Sequence, residues 1–475
     1  MAAINLKQKL FFRLKLGERR IIILAGDLVA ALGAIFIALF VWSRASEEWL
    51  KFSVQFLLER PPSWFYLLPF VWITLVVVLG DIRKSNSFGD TIASIGMAAM
   101  LSAIIYLFIF FLAEPKSLPR LGVALFFISS AILTLIWRFI YIQVFTAPAF
   151  LRRVLIVGAG KAGKTLVKIV KETWPMPFYL VGLIDDDEEK IGIEIDGFPV
   201  LGGSDKILTI IDEKEISDVI FAISGEMNPR MLETLLVAEE QGIEVTTMPV
   251  MYEEIMGRVP IFLLSPDWVL RSLVDQSHIS RFYRAIKRLI DILGGIIGSL
   301  ILLLATPILS VLIYIDDGRP IFYKQLRLGR NGKIYKILKF RTMNDANQVE
   351  GGATPTQEND NRVTKIGKFL RRSHLDELPQ FLNILKGDMS LVGPRAEQPV
   401  IVQELQEKIP FYRSRLFVKP GLTGWAQINY GYASNAEENA VKLEYDLYYI
   451  KHRNFMLDIS ILFQTMGSVI GLKGR

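Results

Sequence analysis

Four apolar runs in the first third of the chain restrict its fold more than any other feature: Ile21–Trp42, Trp64–Gly80, Thr91–Ala113 and Leu121–Phe145. Most approach the roughly 17 to 25 residues that a helix needs to cross a bilayer. Lys7, Lys9, Arg13, Lys15, Arg19 and Arg20 precede the first run, and Arg152 and Arg153 follow the last. Cationic flanks stay on the cytoplasmic side, so both ends of a four-span region are expected there. Arg138 interrupts the fourth run near its end, and Asp27 lies about two turns inside the first. A buried helix–helix partner or a position near the headgroups suits Asp27 better than a transport path, because no network of intramembrane charges accompanies it. The first run lacks a small-residue cleavage site and is expected to be retained.

Composition sharpens this reading. A hydrophobic fraction of 51% and a mean hydropathy of +0.36 put part of the chain in lipid. The net charge of +6 suits anionic lipid and phosphorylated substrates, and no aromatic-basic nucleic-acid module is present. Absence of cysteine excludes disulfides, thiolate metal sites and cysteine nucleophiles, and three histidines argue against a His-rich zinc site.

Past Arg153 the pattern changes to strand, glycine turn and helix: Val154–Val157, GAGKAGKT, then Leu166–Lys171. Gly158, Gly160 and Gly163 form G-x-G-x-x-G, and Asp185 ends the next apolar run where a ribose-binding acid would stand. The same loop fits a phosphate-loop pattern through Gly158, Gly163, Lys164 and Thr165. That version needs a later strand ending in Asp for magnesium, whereas Val219–Ile223 runs into Ser224. A Rossmann-like unit with further strands near Val219 and Ile243–Thr247 is the expectation. Its glycines serve either nucleotide or sugar-nucleotide binding, or close packing of helix on strand.

A third region begins after Ser280. The run Leu289–Ile315 is apolar apart from Asp291, and both of its flanks are basic. A fifth crossing would export a basic domain, and Pro307 breaks or bends a helix. A re-entrant helix-break-helix is expected, with Thr306 supplying a local hydrogen-bond partner; a tilted span is the alternative. Short strands at Pro320–Tyr323 and Ile334–Phe340 flank the turn Gly329–Gly332, and a polar loop, Asn344–Asn361, follows.

Ser373–Gln398 then crowds Asp376, Glu377, an Asn, a Lys-Gly-Asp turn and a Pro-Arg into one segment. Ser373 as a cap and acids in a first helical turn would explain the pair structurally. Lys368, Arg371, Arg372 and Arg395 bracket it, however, as needed where a carboxylate must meet phosphate, and this segment is the expected active site. In KPGLTGWAQINYG, Trp425 offers either a stacking face or a core side chain. The tail, with its apolar stretch Ile459–Ile470, is expected at the membrane interface.

KFRTM, LDELPQ, N-x-L-K-G-D-M-S-L-V-G-P-R and KPGLTGWAQ together resemble the bacterial polyprenyl-phosphate sugar phosphotransferases, the monotopic phosphoglycosyl transferases. The likeness covers about residues 278–475. Four spans plus a Rossmann-like module resemble the long members that start exopolysaccharide, capsule or O-antigen synthesis. The resemblance implies transfer of a hexose-1-phosphate from a UDP-sugar to undecaprenyl phosphate, with Asp376 as nucleophile, an aspartyl-phosphosugar intermediate and release of UMP. It also implies magnesium at the diphosphate with Glu377 as ligand, and phosphate contacts from Lys339, Arg341, Arg371 and Arg395. Asp388 and Asp446 are weaker candidates. His374 stands where the family more often has a small hydroxyl residue, and Thr306-Pro307 replaces the more usual Ser-Pro.

The expected architecture is therefore a multi-domain membrane protein. Residues 1–150 form a four-helix transmembrane anchor and 151–265 a Rossmann-like α/β module. Residues 278–475 form a small α+β catalytic domain, with a re-entrant membrane helix at 285–315. The expected place is the bacterial inner membrane, multi-pass, with the catalytic domain facing the cytoplasm. Expected partners are the UDP-sugar, undecaprenyl phosphate and membrane lipid, with no nucleic acid; a homodimer is compatible with this layout. Two rival functions are a membrane-bound nucleotide-sensing scaffold and a sugar-nucleotide dehydratase or epimerase. The latter needs Tyr-x-x-x-Lys beside the glycine loop, and the pattern occurs only outside that module, at Tyr283–Lys287 and Tyr335–Lys339.

Overall fold

The computed structural model describes residues 16–45, 52–59, 61–79, 88–112, 120–145, 151–173, 176–223, 228–264, 280–343, 362–431, 433 and 435–470. Lys7, Lys9, Arg13, Lys15, Gly80, Ala113, Ser224 and the loop Asn344–Asn361 lie outside them. The chain divides into two compact units, Met1–Met251 and Tyr252–Arg475.

The apolar runs of the first unit fold as helices, Leu16–Ala45, Leu68–Leu79, Phe88–Leu112 and Arg120–Phe145. Three contain stretches long and apolar enough to cross a membrane. The second run differs from expectation, because Ser63–Leu67 forms a tighter 3-10 turn ahead of a helix of only 12 residues. At about 2.0 Å per residue in the turn and 1.5 Å in the helix, it still reaches about 28 Å, close to the hydrocarbon thickness. The first and last helices run antiparallel with small residues at the contact: a side chain at Gly26 would strike Trp137, and one at Gly122 would strike Trp42. Arg138 does not end its helix. Its Nη2 lies 2.7 Å from Asp27 Oδ2 with both side chains buried, so Asp27 is a helix–helix partner.

The same unit carries a four-stranded parallel sheet in the order Tyr179–Ile184, Arg153–Val157, Asp218–Phe221, Glu244–Thr247. Val-, Ile- and Leu-rich strands covered by helices give a near-continuous apolar core, with Leu155, Val157, Ile184 and Val219 fully buried. Arg153–Val157 has neighbours on both sides that are reached in opposite directions, which places the glycine loop at the topological switch point.

The second unit begins where the α/β reading still ran on to residue 265. From Tyr252 onward the chain contacts the C-terminal domain: Val259 N donates to Glu444 O at 3.1 Å, and Val259 and Ile261 join the core of Tyr412, Trp425, Leu447 and Ile450. Its largest element is the 37-residue helix Arg281–Asp317. The helix continues through Pro307 without the expected break, and the Thr306 hydroxyl donates to Leu302 O at 2.6 Å. Both ends pack on the same domain. Near the start, Asp291 Oδ1 accepts from Leu391 N at 2.9 Å, and Gly294, Gly295 and Gly298 sit against Leu391, Leu385 and Phe381. Near the end, Asp316 Oδ2 accepts from Ile366 N at 2.8 Å. Leu300, Leu304, Ile308 and Ile315 leave an apolar stripe exposed between these anchors.

An antiparallel hairpin, Phe322–Leu328 with Ile334–Phe340, follows, its first strand longer than the sequence suggested. Asn331 and Gly332, both at positive φ, close the turn. Ile459–Ile470 belongs to the helix Phe455–Ile470, which buries Ile461 in the core and exposes Phe455 and Met456.

Candidate active site

Three short elements converge on the acid pair. The helix Lys365–Arg372 starts at Thr364, whose hydroxyl accepts from Gly367 N at 2.9 Å. Ser373 ends that helix rather than capping the next one, and its Oγ donates back to Phe369 O at 2.8 Å. His374 then takes a left-handed conformation, φ 56°, reversing the chain into the 3-10 turn Leu375–Glu377. Histidine tolerates this region better than most residues. The turn brings both acids to face the strand Ile334–Phe340.

Asn383 fixes that strand. Its side-chain oxygen accepts from Leu338 N at 3.1 Å and its amide donates to Lys336 O at 2.9 Å, closing hydrogen bonds the hairpin leaves open. Lys339 Nζ therefore arrives 2.6 Å from Glu377 Oε1 and 3.9 Å from Asp376 Oδ2. Arg395 Nη2 stands 3.5 Å from the same Glu377 oxygen. Arg371 lies close enough to act on Asp376 electrostatically, with its Nε donating to Thr342 Oγ1 at 3.0 Å.

The two carboxyls are driven apart. Burial, at 7% exposure, raises the pKa of Asp376; the charge of Glu377 adds to this, while Lys339, Arg371 and His374 oppose it. Burial would also raise Glu377, but Lys339 and Arg395 outweigh it and hold that carboxyl well below the usual range. Glu377 is thus the fixed anion and Asp376 the carboxyl with the less committed charge.

Not every expected residue joins the pair. Arg341 is buried and donates to the carbonyls of Asp317, Gly318 and Arg319, so it clamps the end of the long helix instead of facing the acids. Lys368 and Arg372 are exposed on their helix. Asp388 pairs with Lys386 at 3.2 Å, and Asp446 with Arg415 at 2.7 Å in a buried bridge. Trp425 is a core side chain: it is 3% exposed, stacks on Tyr448 and donates to Gly257 O at 2.8 Å. Tyr283 and Lys287 both bind Asp458 in the C-terminal unit.

In the glycine loop, Gly158 takes φ +111°, and a side chain at Gly163 would strike Gly158 O, so both serve close packing. Gly160 has open space where a Cβ would stand. Asp185 turns toward its own loop: Oδ2 accepts from Ala159 N at 2.7 Å and Oδ1 from Asp187 N at 3.0 Å. Thr165 donates to Lys161 O at 2.8 Å, within its helix.

Residues 282–471 match the family described as bacterial sugar transferase, and residues 81–249 match one described as a CoA-binding domain. A UDP-galactose-lipid carrier transferase of Erwinia amylovora is 30% identical over 342 residues, covering 67% of this chain and 68% of that protein. A UDP-N-acetylgalactosamine-undecaprenyl-phosphate N-acetylgalactosaminephosphotransferase of Aeromonas hydrophila is 42% identical over 221 residues, 46% of this chain and 50% of that protein. The UDP-glucose:undecaprenyl-phosphate glucose-1-phosphate transferase of Escherichia coli K12 is 41% identical over 188 residues, 38% of this chain and 40% of that protein. The match thus spans half or less of the length of these last two relatives.

Proposed function

The chain belongs to the bacterial sugar transferase family, and from that premise we propose that it transfers a hexose-1-phosphate from a UDP-sugar to undecaprenyl phosphate. The observation that carries the proposal is the pair of buried Asp376 and half-buried Glu377, in which the cations are drawn to Glu377. A nucleophilic carboxylate must be charged yet loosely held, and Asp376 stands 3.9 Å from the Lys339 ammonium.

An Asp376 oxygen attacks the phosphorus that bears the sugar. A P–O bond forms, the bond to the leaving phosphate breaks, and UMP departs with its electron pair. The lipid phosphate then attacks the same phosphorus, which returns the carboxylate and yields the lipid diphosphosugar. Lys339 and Arg395 hold Glu377 and present positive charge to incoming phosphate oxygens; Arg371 acts on the Asp376 side.

Magnesium takes one or two carboxylates and completes its shell with substrate oxygens, and the adjacent acids Asp376 and Glu377 supply donors of that kind. Glu377 would hold it with Asp376 beside it, and the ion would neutralise charge on the diphosphate.

The long helix supports a re-entrant placement. Its 37 residues extend about 55 Å, yet both halves pack on the same domain, while exposed apolar side chains from Leu289 to Ile315 are free for lipid. The basic residues flanking the N-terminal bundle support a catalytic domain on the cytoplasmic side of the inner membrane. The product would start an exopolysaccharide, capsule or O-antigen chain.

The test is UMP release from a panel of UDP-hexoses with undecaprenyl phosphate and magnesium. Turnover that requires lipid phosphate names the sugar; no release with any UDP-hexose would overturn the assignment.

A further inference from the structure

The antiparallel contact between the first and last bundle helices fixes which residues stand level with one another. Trp42 lies against Gly122, Leu133 against Gly33, and Trp137 against Gly26, its indole donating to Ile23 O at 3.1 Å. Arg138 pairs with Asp27. One further turn toward the ends of both helices sets Arg19 opposite Tyr141. Arg19 is only 4% exposed, and its Nε and Nη2 have no hydrogen-bond partner.

Those two atoms form one edge of the guanidinium, the fork that takes two oxygens of a phosphate or carboxylate side by side. Asp27, two turns farther along the same helix, is already engaged by Arg138. Tyr141 lies close enough to act on Arg19 electrostatically, and Arg152, itself paired with Asp218 and Glu244, repels it. Arginine cannot relieve this by losing its proton. An anion from outside the chain would satisfy both atoms, and Arg19 lies about one turn inside its helix, two residues ahead of the first apolar span.

We infer that Arg19, with Tyr141 beside it, binds a phosphate group at the inner end of the four-helix bundle, remote in sequence from the Asp376 site. An anionic phospholipid and soluble phosphate offer the same oxygens, and the experiment separates them. Full-length protein in phosphatidylcholine nanodiscs is titrated either with phosphatidylglycerol in the bilayer or with inorganic phosphate in solution. Thermal unfolding and native mass spectrometry of retained lipid are the readouts.

A lipid site shows a rise in unfolding temperature with phosphatidylglycerol and a retained lipid, both weakened about tenfold in Arg19→Gln, as expected for one lost charge-assisted pair. Arg19→Lys, which keeps the charge without the fork, falls between, and Lys168→Gln, a surface charge loss, matches wild type. A response to inorganic phosphate alone, lost in Arg19→Gln, identifies the soluble source. Should Arg19→Gln fail to fold, the wild-type titrations and Arg19→Lys decide. No response of wild type to either anion, or equal responses in wild type and the Arg19 variants, overturns the inference.

Discussion

The glycine loop and the acid turn each place a carboxylate where phosphate chemistry would want one, yet they leave it in opposite states. Asp185 is saturated: one oxygen accepts from the loop's own Ala159 N–H, the other from Asp187 N and Lys190 Nζ. Asp376 is buried and stands 3.9 Å from the Lys339 ammonium, which sits at 2.6 Å from Glu377. A motif locates a carboxylate, whereas reactivity depends on what already occupies its lone pairs. The saturated acid holds a loop together, and the unsaturated one keeps lone pairs free for the attack proposed for it.

Four substitutions test this contrast. The largest effect belongs to Asp376→Asn, which should lower UMP release by about a thousandfold or more, as loss of a nucleophile does. Measurable turnover near wild type would move the nucleophile elsewhere. The same variant should unfold at a higher temperature at neutral pH. The folded pKa of Asp376 is raised, so the native state loses stability as pH rises above the ordinary Asp value, and the amide removes that loss. The difference should vanish below about pH 4, where the carboxyl is protonated folded or unfolded.

Lys339→Met comes next, at about a hundredfold in transfer rate. It also raises the pKa of Glu377, which in wild type stabilises the fold above the ordinary Glu value and loses that contribution only as pH falls through its depressed folded value. The variant should therefore lose acid stability at a higher pH than wild type in a pH-dependent unfolding series. If its acid limb coincides with that of wild type, Lys339 is not what holds Glu377.

Asn383→Ala acts through position: two hydrogen bonds to the strand are lost, for about 2 kcal/mol in unfolding free energy and about tenfold in rate. Equal stability would show the hairpin needs no stitch. The smallest effect is expected from Asp185→Asn, with transfer within about threefold of wild type. A loss as large as that of Asp376→Asn would erase the contrast between the two sites.

Much of the site was legible because it is local. Asp376, Glu377 and Arg371 lie within one turn-and-helix segment, and a basic surround of paired acids announces itself in the letters. Asn383 was visible as a motif letter but silent in role, since its partners are the backbone of Leu338 and Lys336, which no side-chain pattern encodes. Arg341 misled for the opposite reason: it sits two residues from Lys339 on the same stretch, yet points to the end of the long helix.

Sequence alone determined the three-part order of the chain, because apolar length, strand-glycine-helix spacing and clustered charge are properties of contiguous residues. It also singled out the adjacent acids Asp376 and Glu377. Tertiary structure decided how they differ. The choice between Asp376 and Glu377 as the held anion rests on two cations distant in sequence: Lys339, at 2.6 Å from Glu377 and 3.9 Å from Asp376, and Arg395, at 3.5 Å from Glu377. Trp425 became core for a similar reason, through Gly257 and Tyr448. Distances of this kind come from packing between elements, and electrostatics inside a poorly polarisable site turns an ångström of difference into a division of roles.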